Sequence, residues 1–189
     1  MSKIYISEKS WYIYYKLPSE LQLNFDEFEE FYNTKPNKKH EIFIFGKYVE
    51  QPRYTQTYGK DYIYSNTISK SIPFTKLLSK YLIFVNKLDN NSNMALVNWY
   101  NNGKEYIGWH SDDEKQIKKC TPIISITFGA ERDFQIREKK NKKNKISIKL
   151  QNNSYLIMGG DFQDEFQHQL PRRLKCKEKR INITFREII

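Results

Sequence analysis

Histidine and cysteine are scarce in this chain of 189 residues, which has three of the first and two of the second. Cys120 and Cys176 have no metal-binding or redox spacing, which excludes a cysteine-held metal and a dithiol motif and points to a reducing compartment. No apolar run is long enough to span a bilayer, and the first residues lack the pattern of a secretory leader. The expectation is an intracellular protein, nuclear or cytoplasmic, without a membrane partner. Internal repeats and breaks in composition are missing too, so one domain over residues 1–189 is expected, large enough to enclose a pocket.

Positive charge is plentiful. Thirty-two Lys and Arg face 22 Asp and Glu, a formal net charge of +10. The distribution is uneven: residues 137–149 carry seven Lys/Arg against Glu138, and residues 172–180 carry six against Glu178. An AT-rich genome favours Lys and Asn codons, but blocks of this kind are also footprints of phosphate contact when they flank a site.

With so few histidines, their positions count. His40 stands in a polar Asn/Lys loop, whereas His110 and Asp112 are one residue apart and project to the same side of an extended segment, where both can grip one ion. Two imidazoles and one carboxylate on one face of a metal form the ligand set of non-haem Fe(II) oxygenases. His168 must then arrive from a distant strand. A lone His-x-Asp is a weak signal, and the last strand strengthens it.

In Arg180 to Arg186, period two puts Arg180, Asn182, Thr184 and Arg186 on one face and Ile181, Ile183 and Phe185 on the other. An exposed edge strand could show the same alternation, but it would not need metal-type residues upstream. Two guanidiniums on a polar face suit a cavity holding a dicarboxylate, because their rigid forks match carboxylates and stay charged when desolvated.

Extended segments dominate the second half: Ala95 to Tyr100, Pro122 to Phe128, Asp133 to Arg137, Lys145 to Leu150, Ser154 to Met158 and Arg180 to Phe185. Two helices precede them, with Leu21, Phe25, Phe28 and Tyr32 on one stripe and Phe74, Leu77, Leu78, Tyr81, Leu82 and Val85 on another. The expected architecture is α+β, a double-stranded β-helix or jelly roll buttressed on one side by N-terminal helices. Lys139 to Lys145 reads as a hairpin tip.

Asn98-Trp99-Tyr100, Gly108-Trp109-His110-Ser111-Asp112-Asp113-Glu114, Phe128-Gly129-Ala130-x-Arg132-Asp133-Phe134, His168 and the Arg180 to Arg186 strand resemble, in order and spacing, the AlkB family. The match covers about residues 42–188. The resemblance implies an Fe(II)- and 2-oxoglutarate-dependent dioxygenase that removes alkyl groups from nucleobases. It implies a jelly-roll core over 95–188, a nucleotide-recognition lid and buttressing helix over 42–88, and an N-terminal extension of helix and strand over about 1–41.

Carried over residue by residue, it implies that His110, Asp112 and His168 hold iron. Arg180 meets the distal carboxylate of 2-oxoglutarate, Arg186 sits by the metal-proximal carboxylate and the aspartate ligand, and Asn98, Tyr100 and Asn182 complete the cosubstrate contacts. In the lid, Tyr64 stacks on a flipped base opposite His110, with Tyr62 and Glu114 near the polar edge of the base. Arg53 belongs to the same surface. Phe43-Ile44-Phe45-Gly46-Lys47 resembles the hairpin that duplex-acting members push into the base stack, with Phe45 as wedge, and Arg173 and Lys175 match basic residues set against the opposite strand.

Tyr64 and Trp109 look closer to members that take single strands. Alkylated DNA, double- or single-stranded, is the expected substrate and RNA the alternative; a non-catalytic nucleic-acid-binding jelly roll would require a damaged metal site. O2 is the oxidant, ascorbate is expected to help, and a monomer is expected.

Overall fold

A computed structural model describes residues 2–44, 46–64, 67–88 and 91–189. Phe45, the expected wedge, lies outside them. In chain order the strands and helices are β1 (Ile4–Tyr5), β2 (Ser10–Lys16), α1 (Phe25–Tyr32), β3 (Glu41–Ile44), β4 (Lys47–Glu50), β5 (Tyr54–Tyr58), β6 (Tyr62–Tyr64) and β7 (Thr67–Ser69). There follow β8 (Ser71–Ile72), α2 (Lys76–Asn86), β9 (Met94–Tyr100), β10 (Ile107–His110), β11 (Ile123–Gly129), β12 (Arg132–Glu138), β13 (Lys145–Leu150), β14 (Ser154–Gly160), α3 (Phe162–Glu165), β15 (Phe166–Leu170) and β16 (Arg180–Arg186).

These strands form a jelly roll of two main sheets. The major sheet runs β1-β2-β14-β11-β16-β9-β5-β8, and the minor sheet runs β10-β15-β12-β13. Two hairpins, β3-β4 and β6-β7, stand apart as the lid. The major sheet draws on all three expected stretches: β2 comes from the N-terminal extension and β5 from the lid region, and both pair with strands of the core.

Strand β16 shows why the pattern folds this way. Ile181, Ile183 and Phe185 join a core with Trp99, Phe128, Leu78 and Tyr81 on the helical side of the major sheet. The opposite face is covered by the minor sheet, so nearly every residue of β16 is buried although its sequence alternates. A second core, including Phe134, Ile136, Leu156 and Met158, fills the space between the sheets.

Both buttressing helices are present, with altered starts. The Asn24 side chain accepts from the Glu27 amide while the Glu27 carboxylate accepts from the Asn24 amide, a capping box that begins α1 at Phe25. Leu21 therefore falls in a preceding 3-10 turn, and Phe25, expected on the buried stripe, is 76% exposed. Tyr32 is buried as expected, and Phe31, off the expected stripe, joins it in the packing. Thr75 caps α2, whose Leu78, Tyr81 and Val85 are fully buried; each such side chain contributes about 1.5–3 kcal/mol.

Candidate active site

The minor sheet brings the two distant histidines together. His110 on β10 and His168 on β15 are direct cross-strand partners, and their ring centroids are 4.2 Å apart. Asp112 follows β10 immediately and turns its carboxylate between them, with Oδ1 3.9 Å from His110 Nε2 and Oδ2 3.9 Å from His168 Nε2. That separation is too long for hydrogen bonds, yet the three ligand atoms all lie within 4.8 Å of one another, a span one ion can bridge. This donor set, two nitrogens and one hard oxygen, suits Fe(II).

Supporting contacts orient each group. His110 Nδ1 bonds the Gly108 carbonyl at 2.9 Å, which leaves Nε2 for the metal. The His168 ring stacks on Phe134 with centroids 5.1 Å apart and lies near Phe162; its Nδ1 has no hydrogen-bond partner among the described residues, so packing sets the ring. Burial pushes the pKa of both imidazoles down, His168 to about 3, so they are neutral and fit to ligate. Burial alone would raise the Asp112 carboxyl, but Arg186, whose Nη2 donates to Oδ1 at 2.7 Å, and the two imidazoles hold it down at about 2.

His110 and Asp112, with Leu96, Ile107 and Arg186, line both of two adjoining chambers, and His168 lines the inner one. The inner chamber, about 510 Å³, lies between the sheets and is lined by Asn98, Tyr100, Ser125, Arg180, Asn182 and Thr184. Register explains the grouping: on β9 and β16, Arg180 is opposite Tyr100 and Asn182 is opposite Asn98. Arg180 is 1% exposed, and no carboxylate lies within salt-bridge distance of it among the described residues. Its Nη atoms donate to the Ala130 carbonyl and Thr127 Oγ1, its Nε has no partner, and burial brings its pKa down to about 10.

Arg186 likewise keeps Nε and Nη1 unpartnered. A buried guanidinium without a counter-ion is costly, so a dicarboxylate fits this chamber. Asn182 lines it, but its amide is engaged by Ser125, Ile126 and Thr184.

The outer chamber, about 530 Å³, is roofed by the lid and lined by His40, Gln51, Arg53, Thr55, Tyr62 and Tyr64 among others. Tyr62 is buried, stacks on Tyr64 at 6.4 Å and lies over the Arg186 guanidinium at 5.1 Å. Burial drives its phenol well above the usual range, and it hydrogen-bonds Glu114. The Glu114 carboxyl is raised by burial and by Asp112, and its Oε2 has no partner. Arg53 joins the two chambers, donating from Nε to Asn98 Oδ1 at 2.6 Å.

Arg173 and Lys175 sit on the loop after β15, where Arg173 pairs with Asp133 and Lys175 is exposed. The sequence reading passed over His40, which its polar loop brings into the chamber wall, and over Thr55, Thr67 and Ser69. Only Arg53 hinted at that wall. On β3-β4, Phe43 and Tyr48 are exposed and pack edge to face.

The sequence model of the 2OG-Fe(II) oxygenase superfamily matches residues 17–186. The chain is 34% identical over 152 residues to alpha-ketoglutarate-dependent dioxygenase alkB homolog 3 of Homo sapiens, covering 74% of this chain and 52% of that protein. It is 31% identical over 159 residues to the DNA oxidative demethylase ALKBH2 of Homo sapiens, covering 78% and 61%. The chain thus spans about half the length of the curated relatives it matches. A solved structure titled "The structure of OsALKBH1" superposes with a TM-score of 0.62 at 16% identity, covering 98% of this chain and 100% of that one, a likeness of fold.

Proposed function

The chain belongs to the 2OG-Fe(II) oxygenase superfamily, in its AlkB branch, and from that membership we propose that it removes alkyl groups oxidatively from nucleobases in DNA. The observation that carries this reading is Arg180, a guanidinium buried without a carboxylate partner among the described residues, in a chamber walled by His110, Asp112 and His168. Bound there, Fe(II) with 2-oxoglutarate and O2 supplies hydroxylation of the alkyl carbon, coupled to decarboxylation of the cosubstrate to succinate. The hydroxylated adduct of a methylated base then loses formaldehyde and leaves the N–H base.

The chain's own residues divide the remaining work. His110, Asp112 and His168 hold the metal, and Arg186 keeps Asp112 ionised and oriented. Arg180 and Tyr100 receive the distal carboxylate, and Asn98, fixed by Arg53, lines the side of the same chamber. Tyr64 and His110 flank a base entering the outer chamber, while Tyr62 and Glu114 face its polar edge. A stacked base cannot reach this depth, so the nucleotide is flipped or taken from a single strand, at a cost of about a few kcal/mol.

Bases of the 1-methyladenine and 3-methylcytosine type suit this chamber, because their exocyclic amines donate to an acceptor such as Gln51 on its wall, whose Oε1 has no partner among the described residues. RNA is the second reading, since no residue described here distinguishes a 2′-hydroxyl.

Product mass spectrometry on single- and double-stranded DNA and RNA carrying these two bases, with iron, ascorbate and 2-oxoglutarate, tests the proposal. DNA is demethylated faster than RNA. His110→Ala and Asp112→Ala abolish succinate formation and leave oligonucleotide binding nearly intact, because charge and stacking hold the strand. Unchanged turnover in either variant would sink the assignment.

A further inference from the structure

On its inner face the minor sheet carries the histidines; its outer face has a row of another character. Lys145 on β13 and Arg137 on β12 are cross-strand partners, and Arg137 is in turn the partner of Gln167 on β15. Gln167 Oε1 accepts from Arg137 Nε at 3.0 Å and from Nη2 at 2.7 Å, which fixes the guanidinium. So held, the guanidinium reaches over β15 to lie on the Trp109 ring of β10, 4.2 Å from its centroid, with Lys145 Nζ 5.9 Å from the same ring. The row crosses all four strands and ends on β10, the edge strand whose next residue is His110 and whose Ile107 and His110 line the outer chamber.

All four side chains are exposed or half-exposed. Among the described residues neither Arg137 nor Lys145 has a carboxylate within salt-bridge distance, nor do Lys140, Lys142 and Lys143 in the adjoining turn; Lys139 alone of that block's tip is paired, with Asp113. An oriented guanidinium, a partly exposed indole and a run of unpaired ammonium groups are what single-strand binders combine, aromatic rings for bases and cations for the backbone.

We infer that the outer face of the minor sheet, along Trp109, Arg137 and Lys145, is the docking track for the single-stranded nucleic-acid segment that flanks the nucleotide in the outer chamber. The inference rests on the proposed dealkylase reading for which strand enters. A base stacks on Trp109, and phosphates meet Arg137 and Lys145 on the way to the basic turn. The charge of the chain suits such a partner, and the row leads to the chamber mouth and not away from it.

Anisotropy titration of the metal-free chain with a fluorescein-labelled single-stranded DNA 15-mer tests the track. Trp109→Ala is expected to weaken binding about tenfold, within the range of one base stacked on an aromatic ring, and Trp109→Phe to recover most of it. Arg137→Gln with Lys145→Gln flattens the slope of log affinity against log salt by about 1.4, the value for two phosphates on a single strand. In a Trp11→Phe background, bound strand quenches indole fluorescence and no longer does so once Trp109→Phe is added, since the remaining Trp99 is fully buried.

Losses under twofold, an unchanged salt slope, or quenching that survives Trp109→Phe overturn the track. Succinate formation on a methylated trinucleotide, too short to span the row, reports on the dealkylase reading separately. If it is absent while 15-mer binding still depends on Trp109, that reading falls and the track stands.

Discussion

Asp112 shows how much one side chain is asked to do. Its Oδ1 accepts from Arg186, and both oxygens stand 3.9 Å from an imidazole, so one carboxylate both neutralises a buried arginine and completes a ligand set. The imidazoles beside it have a consequence for stability. Folded His168 stays neutral down to about pH 3, whereas an unfolded histidine takes its proton near 6.5. Between those values the unfolded chain binds the extra proton, so stability falls as pH falls, by about 1.4 kcal/mol per pH unit for one such group. Asp112 adds to the trend at lower pH: its contribution is present above its ordinary value near 3.8 and lost as pH falls through about 2. Urea unfolding of the metal-free chain at pH 6 and pH 5 is expected to show about that decrement, reduced in His168→Gln; equal stability at the two pH values would mean that His168 is protonated in the folded state. At this scale the sequence was most legible where chemistry restricts residue type, at His110, Asp112, His168, Arg180 and Arg186. His40 was illegible because nothing in a polar loop foretells which cavity it will border.

Elements with both a period and a covered face could be read in advance. The strands β9, β11, β14 and β16 alternate or run apolar because the major sheet is pressed between a helix layer and the minor sheet, and with β12 and β13 their bounds fall within two residues of the expected ones. β10 and β15, short and open to solvent on one face, were legible only as extended segments around His110 and His168. The short β6 and β7 and the loop bearing Lys39 and His40 carry no such period, since they bury one side against a site and not a core. Several contacts place them, among them the Gln51 amide donating to the His40 carbonyl at 2.8 Å and the Thr57 and Ser69 hydroxyls paired at 2.7 Å, and one buried ion pair ties the loop down. Lys39 Nζ meets Glu105 Oε1 at 2.8 Å, and Glu105 also accepts from the Asn101 amide at 2.6 Å. Both side chains are largely buried, and stripping one partner from such a pair costs about 3–5 kcal/mol. Glu105→Ala should therefore lower the melting temperature by roughly 6–20 °C in a chain of this size. A change of under 2 °C in a calorimetric melt would show that the tie is solvated and does not pin the chamber wall.

At the scale of the molecule, the first 41 residues read as an extension, yet they complete the major sheet. β2 pairs with β14 along all seven of its residues, and α1 lays Phe31 against Trp99 and Phe128. Ile13, Leu17, Leu21, Leu23, Phe31 and Tyr32 are all buried in the helix-side core. Their burial contributes on the order of 10 kcal/mol, comparable to the whole stability of a typical domain, about 5–15 kcal/mol. Removing residues 1–41 would also expose the edge of β14, seven residues with Tyr155, Leu156, Ile157 and Met158 at their centre, as a template for association with other chains. The expected result is a chain 42–189 that aggregates on size-exclusion chromatography and lacks a cooperative thermal transition, although every ligand and arginine of the site is still in it. Removing residues 1–5 alone, where Ile4 and Tyr5 are exposed, should leave the melting temperature within about 5 °C, given that surface changes usually stay within about 0.5 kcal/mol each. A cooperative melt of 42–189 near that of the full chain would mean that β14 tolerates an open edge and that the jelly roll closes without β2.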